Sequence, residues 1–209
     1  MKRTIYSAFV LFIFLSHSCF AQWTSSMILG IDMYQQYKNP THVSDKGASN
    51  SSGAALLSIP FGIQFSYGRN NASVALEAGA NISPLAFDVS EYKGLGAVSF
   101  PLMAKINFGA LTGHSSNRLI GYSLGGGVQL NRTELFGLTD NYKELNRRFF
   151  STYVCEVGFG GGVGGFNAIF YVKIGLNKEE AFSFNSGLVT KTNLFQTKSS
   201  PKKKSIQQS

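Results

Sequence analysis

The stretch Val98 to Gly109, VSFPLMAKINFG, sorts by parity, and that constrains the chain more than any other feature. Its even positions, Val98, Phe100, Leu102, Ala104, Ile106 and Phe108, are all apolar, while Ser99, Pro101, Met103, Lys105, Asn107 and Gly109 are mostly small or polar. Successive side chains of a strand point to opposite faces, so the pattern is that of a two-faced strand. About eleven such residues, tilted, also cross the hydrocarbon core of a bilayer.

Seven further stretches repeat the pattern. They begin with Ser25 to Tyr34 (Met27, Leu29, Ile31 and Met33 against Ser26, Gly30 and Asp32), Ala55 to Tyr67, and Ala72 to Ile82, where Glu77 and Asn81 share the polar parity. After the opening stretch come Leu119 to Leu130, Phe149 to Gly160, Phe166 to Leu176 and Phe182 to Phe195, with Glu156, Lys173 and Lys191 on their polar sides. The connections add a second signal. Those after the first, third and fifth strands are long and polar (35–54, 83–97, 131–148), whereas those after the second, fourth and sixth are shorter (68–71, 110–118, 161–165). Short turns on one side and long loops on the other are the habit of outer-membrane barrels, and an even strand number leaves both termini on the short-turn side. The expected fold is all-β, an eight-stranded antiparallel up-and-down transmembrane β-barrel.

Parity alone does not say which face points inward, and a soluble barrel with an apolar lumen is the competing reading. Its exterior would need many charges, yet the polar parity of all eight strands carries only Asp32, Glu77, Lys105, Glu156, Lys173 and Lys191. Six charges do not solvate a barrel exterior. Three acids and three bases do suit a narrow polar lumen, where they can pair among small residues.

Composition supports export to an envelope. Charged residues are 14% of the chain, against roughly 25% in an ordinary soluble domain. Lys2 and Arg3 precede the apolar run Ile5 to Leu15, and Cys19-Phe20-Ala21 offers small residues at the two positions read for cleavage, so 1–21 reads as a signal peptide cut after Ala21. A membrane anchor is the alternative, weakened by a run shorter than the ~18 residues a spanning helix needs. So is a lipoprotein cut before Cys19, to which Ser16-His17-Ser18 is a poor approach. Once the leader is removed Cys155 is the only cysteine, which excludes an intramolecular disulfide.

The net charge of +8 falls by two without Lys2 and Arg3, and by four more without Lys198, Lys202, Lys203 and Lys204. The basicity is therefore local to a tail, 198–209, expected to be disordered and solvated, beyond a barrel domain spanning 22–197. No nucleic-acid partner is expected, because a binding groove needs basic residues interleaved with aromatics on a folded face.

Chemistry-bearing patterns are few. His42, Ser44 and Asp45 lie close in sequence within a long connection, but local spacing is not triad geometry. His42 and His114 have no ligand partners at recognised metal spacing. The glycine run Gly158 to Gly165 lacks the Gly-Lys-Ser/Thr ending of a phosphate loop and is read as a strand entering a tight turn. No catalytic, cofactor-binding or metal-ligating residue is assigned, and no cofactor is expected.

Phe100-Pro101-Leu102-Met103-Ala104-Lys105-Ile106-Asn107-Phe108-Gly109, followed by the glycine-rich Gly121 to Leu130, resembles the outer-membrane β-barrel domain of Bacteroidota, the PorT-like small barrels. The resemblance implies a location in the outer membrane, with outer-membrane lipid and the barrel assembly machinery as partners. It permits contact with secretion-apparatus or surface proteins. Its motifs belong to fold and assembly, so they transfer no catalytic residues. One departure is that Phe195, the aromatic expected to end the last strand, is followed by fourteen more residues. Three roles follow in order: a structural or interaction barrel acting through its outside loops, a ligand-binding or small-solute barrel, and a membrane-embedded enzyme acting on lipid or peptide.

Overall fold

The computed structural model describes residues 22–40, 52–69, 71–87, 94–114, 118–138, 148–163 and 165–197. The leader, the loop residues His42, Ser44 and Asp45, and the basic tail lie outside them. Nine antiparallel strands fill the described residues: β1 (Gln22–Lys38), β2 (Ser52–Ala55), β3 (Ile59–Gly68), β4 (Ala72–Phe87), β5 (Gly94–Gly109), β6 (Ile120–Gly137), β7 (Phe150–Val163), β8 (Phe166–Leu176) and β9 (Phe182–Gln196). β2 and β3 each pair with β1 and with β4, from β4 onward each strand pairs with the next, and β9 returns to β1 from Thr24 opposite Gln196 to Lys38 opposite Phe182, so the sheet closes on itself.

Nine strands make eight staves, because β2 and β3 are two halves of one. Gln35 is opposite Ala55, Asp32 opposite Ser58 and Leu29 opposite Phe61, so the register against β1 is unchanged across the break at Leu56 and Leu57. Leu57 sits there at φ 61°, a left-handed conformation that interrupts the ladder without shifting it. The molecule is thus the eight-stave antiparallel barrel that the alternation predicts.

The apolar parity faces outward. In β5 Ile106 is 46% exposed while its neighbours Lys105 and Asn107 are buried, and in β6 Leu124 is exposed while Ser123 is buried. Charged residues on the outward face of the described strands are confined to Lys38 and Arg132, both toward the long-connection end. Aromatic pairs mark the two rims: Trp23 with Tyr67 and Phe108 with Tyr122 near the short turns, Tyr34 with Phe184 and Phe100 with Phe149 near the long connections. Rings whose bodies are apolar and whose edges tolerate water belong at a membrane interface, and the band between the two rims is the part that lipid covers.

The strands outrun the alternating stretches at the long-connection end. β1 continues to Lys38, β4 to Phe87 and β6 to Gly137, while β5 begins already at Gly94. Parity is interrupted there by bulges between Asp32 and Tyr34, between Ser83 and Phe87, and between Leu95 and Ala97. The first adds one residue to β1, the second two to β4 and the third one to β6, and in each of these strands the buried and exposed faces exchange beyond it, so alternation fails although the ladder goes on. The glycine run is a strand running into a tight turn, as its residues predict, with the strand continuing to Val163. Gly158, Gly160, Gly161 and Gly162 all lie within β7, where Gly158 is pressed against Ser123 and Gly162 against the β8 backbone.

Candidate functional site in the barrel lumen

The lumen is filled in layers by side chains of the polar parity. At the long-connection end Tyr37, Ala55, Ala86 and Ala97 pack as a buried apolar cluster. Beneath it Gln35 Oε1 accepts hydrogen bonds from Ser58 Oγ at 3.0 Å and from Ser83 Oγ. Asp32, wholly buried, comes next. Its carboxylate accepts from Asn81 Nδ2 at 2.5 Å, from Asn185 Nδ2 at 2.9 Å and from the Tyr171 hydroxyl. Three donors from β4, β9 and β8 thereby satisfy a charge that burial would otherwise penalise by several kcal/mol.

Lys105 occupies the centre. Its Nζ lies 2.7 Å from Glu77 Oε1 and 2.5 Å from Glu156 Oε1, so one ammonium on β5 ties β4 to β7 across the lumen. Lys173 is opposite Glu156 in the β7–β8 register, with its ammonium 5.8 Å from the centre of the Tyr171 ring, close enough for a cation–π contact. Lys191, on β9, is buried within electrostatic reach of Glu77 and Glu156. All six charges lie in the lumen, yet they do not match base for acid. Lys105 bridges two carboxylates, while Asp32 is held by neutral amides and a phenol. Tyr171 is the residue the sequence reading missed; its place on the Lys173 parity, two residues away, was the available signal.

The short connection after β5 supplies the other end of the filling. Gly109 (φ 63°) turns the chain inward, a single 3-10 turn covers Ala110–Thr112, and Gly113 (φ 80°) ends it. Leu111 and Thr112 are wholly buried. Ser73 Oγ donates to Thr112 O at 2.9 Å and Asn193 Nδ2 to Gly113 O at 2.7 Å. Thr24 Oγ1 lies 3.0 Å from His114 Nδ1. The segment is therefore a plug tied to β1, β4 and β9, not a free turn. His114 is 5% exposed, and burial pushes its imidazole below the ordinary value of 6.5.

What this arrangement does chemically is to close the barrel. Lumen side chains from Tyr37 to Leu111 are buried, several of them bonded across staves, and the plug lies in one mouth. Among the described residues no three His, Cys, Asp or Glu side chains converge as metal ligands. Cys155 is free and faces outward.

A closed antiparallel barrel that turns apolar side chains outward and keeps its ion pairs inside defines the class of transmembrane β-barrels. Solved structures of this kind resemble the chain at low sequence identity. The N-terminal β-barrel domain of Pseudomonas aeruginosa OprF is 14% identical, with 81% of this chain and 96% of that one covered and a TM-score of 0.47. Ail, the attachment invasion locus protein of Yersinia pestis, is 13% identical over 80% and 97%, with a TM-score of 0.44. Neisserial surface protein A is 11% identical over 82% and 97%, also with a TM-score of 0.44. No family model and no curated protein matches the chain.

Proposed function

We propose that this chain is a small outer-membrane barrel, exported on residues 1–21, whose role is structural or interactive and is carried by the connections at its long-loop end. The observation that carries the proposal is the lumen. It is occupied by the chain's own side chains from Tyr37 at one end to Leu111 at the other, which leaves the rims and loops as the parts able to meet partners. Membrane lipid and the barrel assembly machinery are the general partners of such a chain. The resemblance of β5 and β6 to PorT-like barrels of Bacteroidota extends the proposal to an association with protein secretion or with surface proteins. An enzymatic reading would rest on His42, Ser44 and Asp45, which lie outside the described residues.

The role is tested in two measurements. Planar-bilayer recording of the refolded protein is expected to show no stable conductance, and a steady ohmic channel would replace the interaction reading with the small-solute one. In cells, replacing 39–51 or 139–147 by short Gly-Ser connections is expected to reproduce the phenotype of the deleted gene while the barrel still reaches the outer membrane. Full function after both replacements would overturn a loop-borne role.

A further inference from the structure

A small cavity of about 40 Å³ lies inside the lumen beside the central bridge, its polar lining made by Glu77, Asn81, Lys105, Glu156, Tyr171 and Lys173. Room for it comes from β3 and β4, which set Gly62 opposite Gly79, so the inner parity of both carries no side chain at that level. The groups around it do not satisfy one another. Lys105 is spent on Glu77 and Glu156, at 2.7 and 2.5 Å, through one oxygen of each. Lys173, 4% exposed, makes no hydrogen bond or ion pair to another described residue, and its ammonium lies 5.8 Å from the centre of the Tyr171 ring. A cation–π contact replaces only part of the hydration that an ammonium loses on burial. On the same cavity Asn81 gives its amide nitrogen to Asp32, while its Oδ1 is buried without a donor. Donors lacking acceptors and an acceptor lacking a donor thus line one space and do not reach each other.

We propose that this cavity is a binding site for fixed water, through which Lys173 on β8 is joined to Asn81 on β4. The charges around it select the ligand. An anion would suit Lys173 but would sit against Glu77 and Glu156, and a cation would suit the two carboxylates but would sit against Lys105 and Lys173. A molecule that both accepts and donates answers all of them: it accepts from the ammonium and donates to Asn81 Oδ1 and to a carboxylate oxygen, the usual complement of about three hydrogen bonds for a buried water. One water needs roughly 10–15 Å³ of such space, so about two or three fit. The polar lining holds them, whereas an apolar void stays dry. Lys173 is thereby hydrated from inside the ring, and β8 gains a tie across the lumen to β4, a strand with which it shares no ladder. The site is independent of the loops at the long-connection end and of the role proposed for them.

The test uses the methyl groups of Ile28 and Val189, which also line the cavity and whose protons do not exchange with solvent. In the full mature chain, methyl-labelled and refolded in deuterated detergent, both are expected to show NMR cross-relaxation with water, of the sign given by water that tumbles with the protein. Lys173→Met is expected to abolish the signal at both methyls by putting an apolar end in place of the ammonium. Val189→Ile, which adds one methylene and should leave folding intact, is expected to abolish it at Ile28 by filling the space. Exchanging sodium for potassium, or chloride for acetate, is expected to change nothing. Absence of the signal in the unaltered chain would overturn the site, as would its survival in Lys173→Met. Should Lys173→Met fail to fold, survival of the Ile28 signal in Val189→Ile overturns the site in its stead. A signal that follows the buffer cation or anion would replace water with an ion and overturn the proposal. Loss of the loop-borne role leaves these results untouched, so the two proposals fail separately.

Discussion

Replacing Lys105 with Met would leave Glu77 and Glu156 largely buried without the ammonium that bridges them. Breaking a buried ion pair from one side costs about 3 to 5 kcal/mol, because the partner charge remains without compensation. Lys105→Met is therefore expected to lower the urea midpoint of the vesicle-refolded barrel by about that much, and adding Glu77→Gln with Glu156→Gln is expected to return most of it. A neutral single variant would mean that the bridge carries no weight. The outward face is tested one strand away. Leu124 is exposed near the middle of the apolar band, and Leu124→Arg should cost about 2 to 4 kcal/mol, as basic substitutions near a bilayer midplane do. Ser123→Arg would escape lipid but press on Gly158, which lies against Ser123 Oγ, so its cost is that of overpacking, about 1 to 3 kcal/mol. His114 supplies a pH dependence. Its folded-state value lies below 6.5, so folding favours the neutral ring and the unfolded chain binds the extra proton. Stability is then full above pH 6.5 and falls as pH drops through 6.5 toward the lowered value, and a urea-midpoint series should show that slope diminished in His114→Gln.

The plug is the element whose shape was least legible in advance. Ala110 to His114 is too short for any periodicity, and its inward course follows from two glycines whose conformations other residues avoid. At Gly109 a Cβ would also meet Ile120 O at 2.4 Å. Gly109→Val is expected to expel the plug from the mouth and to destabilise the barrel by about 1 to 3 kcal/mol, read as a lower urea midpoint and as new protease sensitivity around residue 111. By contrast, the staves were legible wherever alternation ran unbroken. In β5 parity alone placed Lys105 and Asn107 inside and Ile106 outside. It stopped being legible at the bulges, where Met33 and Tyr34 both face outward, and at Leu56–Leu57, where the second stave breaks without changing register. Parity likewise put six charges in the lumen without saying which would touch, because contact across a barrel depends on strand stagger, which no single strand records. Asn81 and Asn185 stood on the polar parity of their strands, but their convergence on Asp32 needed the closed ring.

At the scale of the whole molecule the expected behaviour is that of a ring without edges. The unheated protein should migrate faster on gels than the boiled one, since every stave is bonded on both sides and detergent alone finds no strand to peel away. Deleting β9 should remove that difference entirely instead of reducing it. The seam explains why, and it has a consequence in time. Trp23 N donates to Thr197 Oγ1 at 2.9 Å, and Thr197 N donates to Trp23 O at 3.0 Å, so the first residues of the barrel are bonded to its last. The stave that begins the ring waits on one edge until nearly the whole chain has been made and delivered, and contacts this distant in sequence form slowly. A newly made chain is therefore an open ribbon with two adhesive margins until it closes. How long it is sheltered in that condition decides how much of it arrives, and the same chain halted one strand early is a template for clumping, not a smaller barrel.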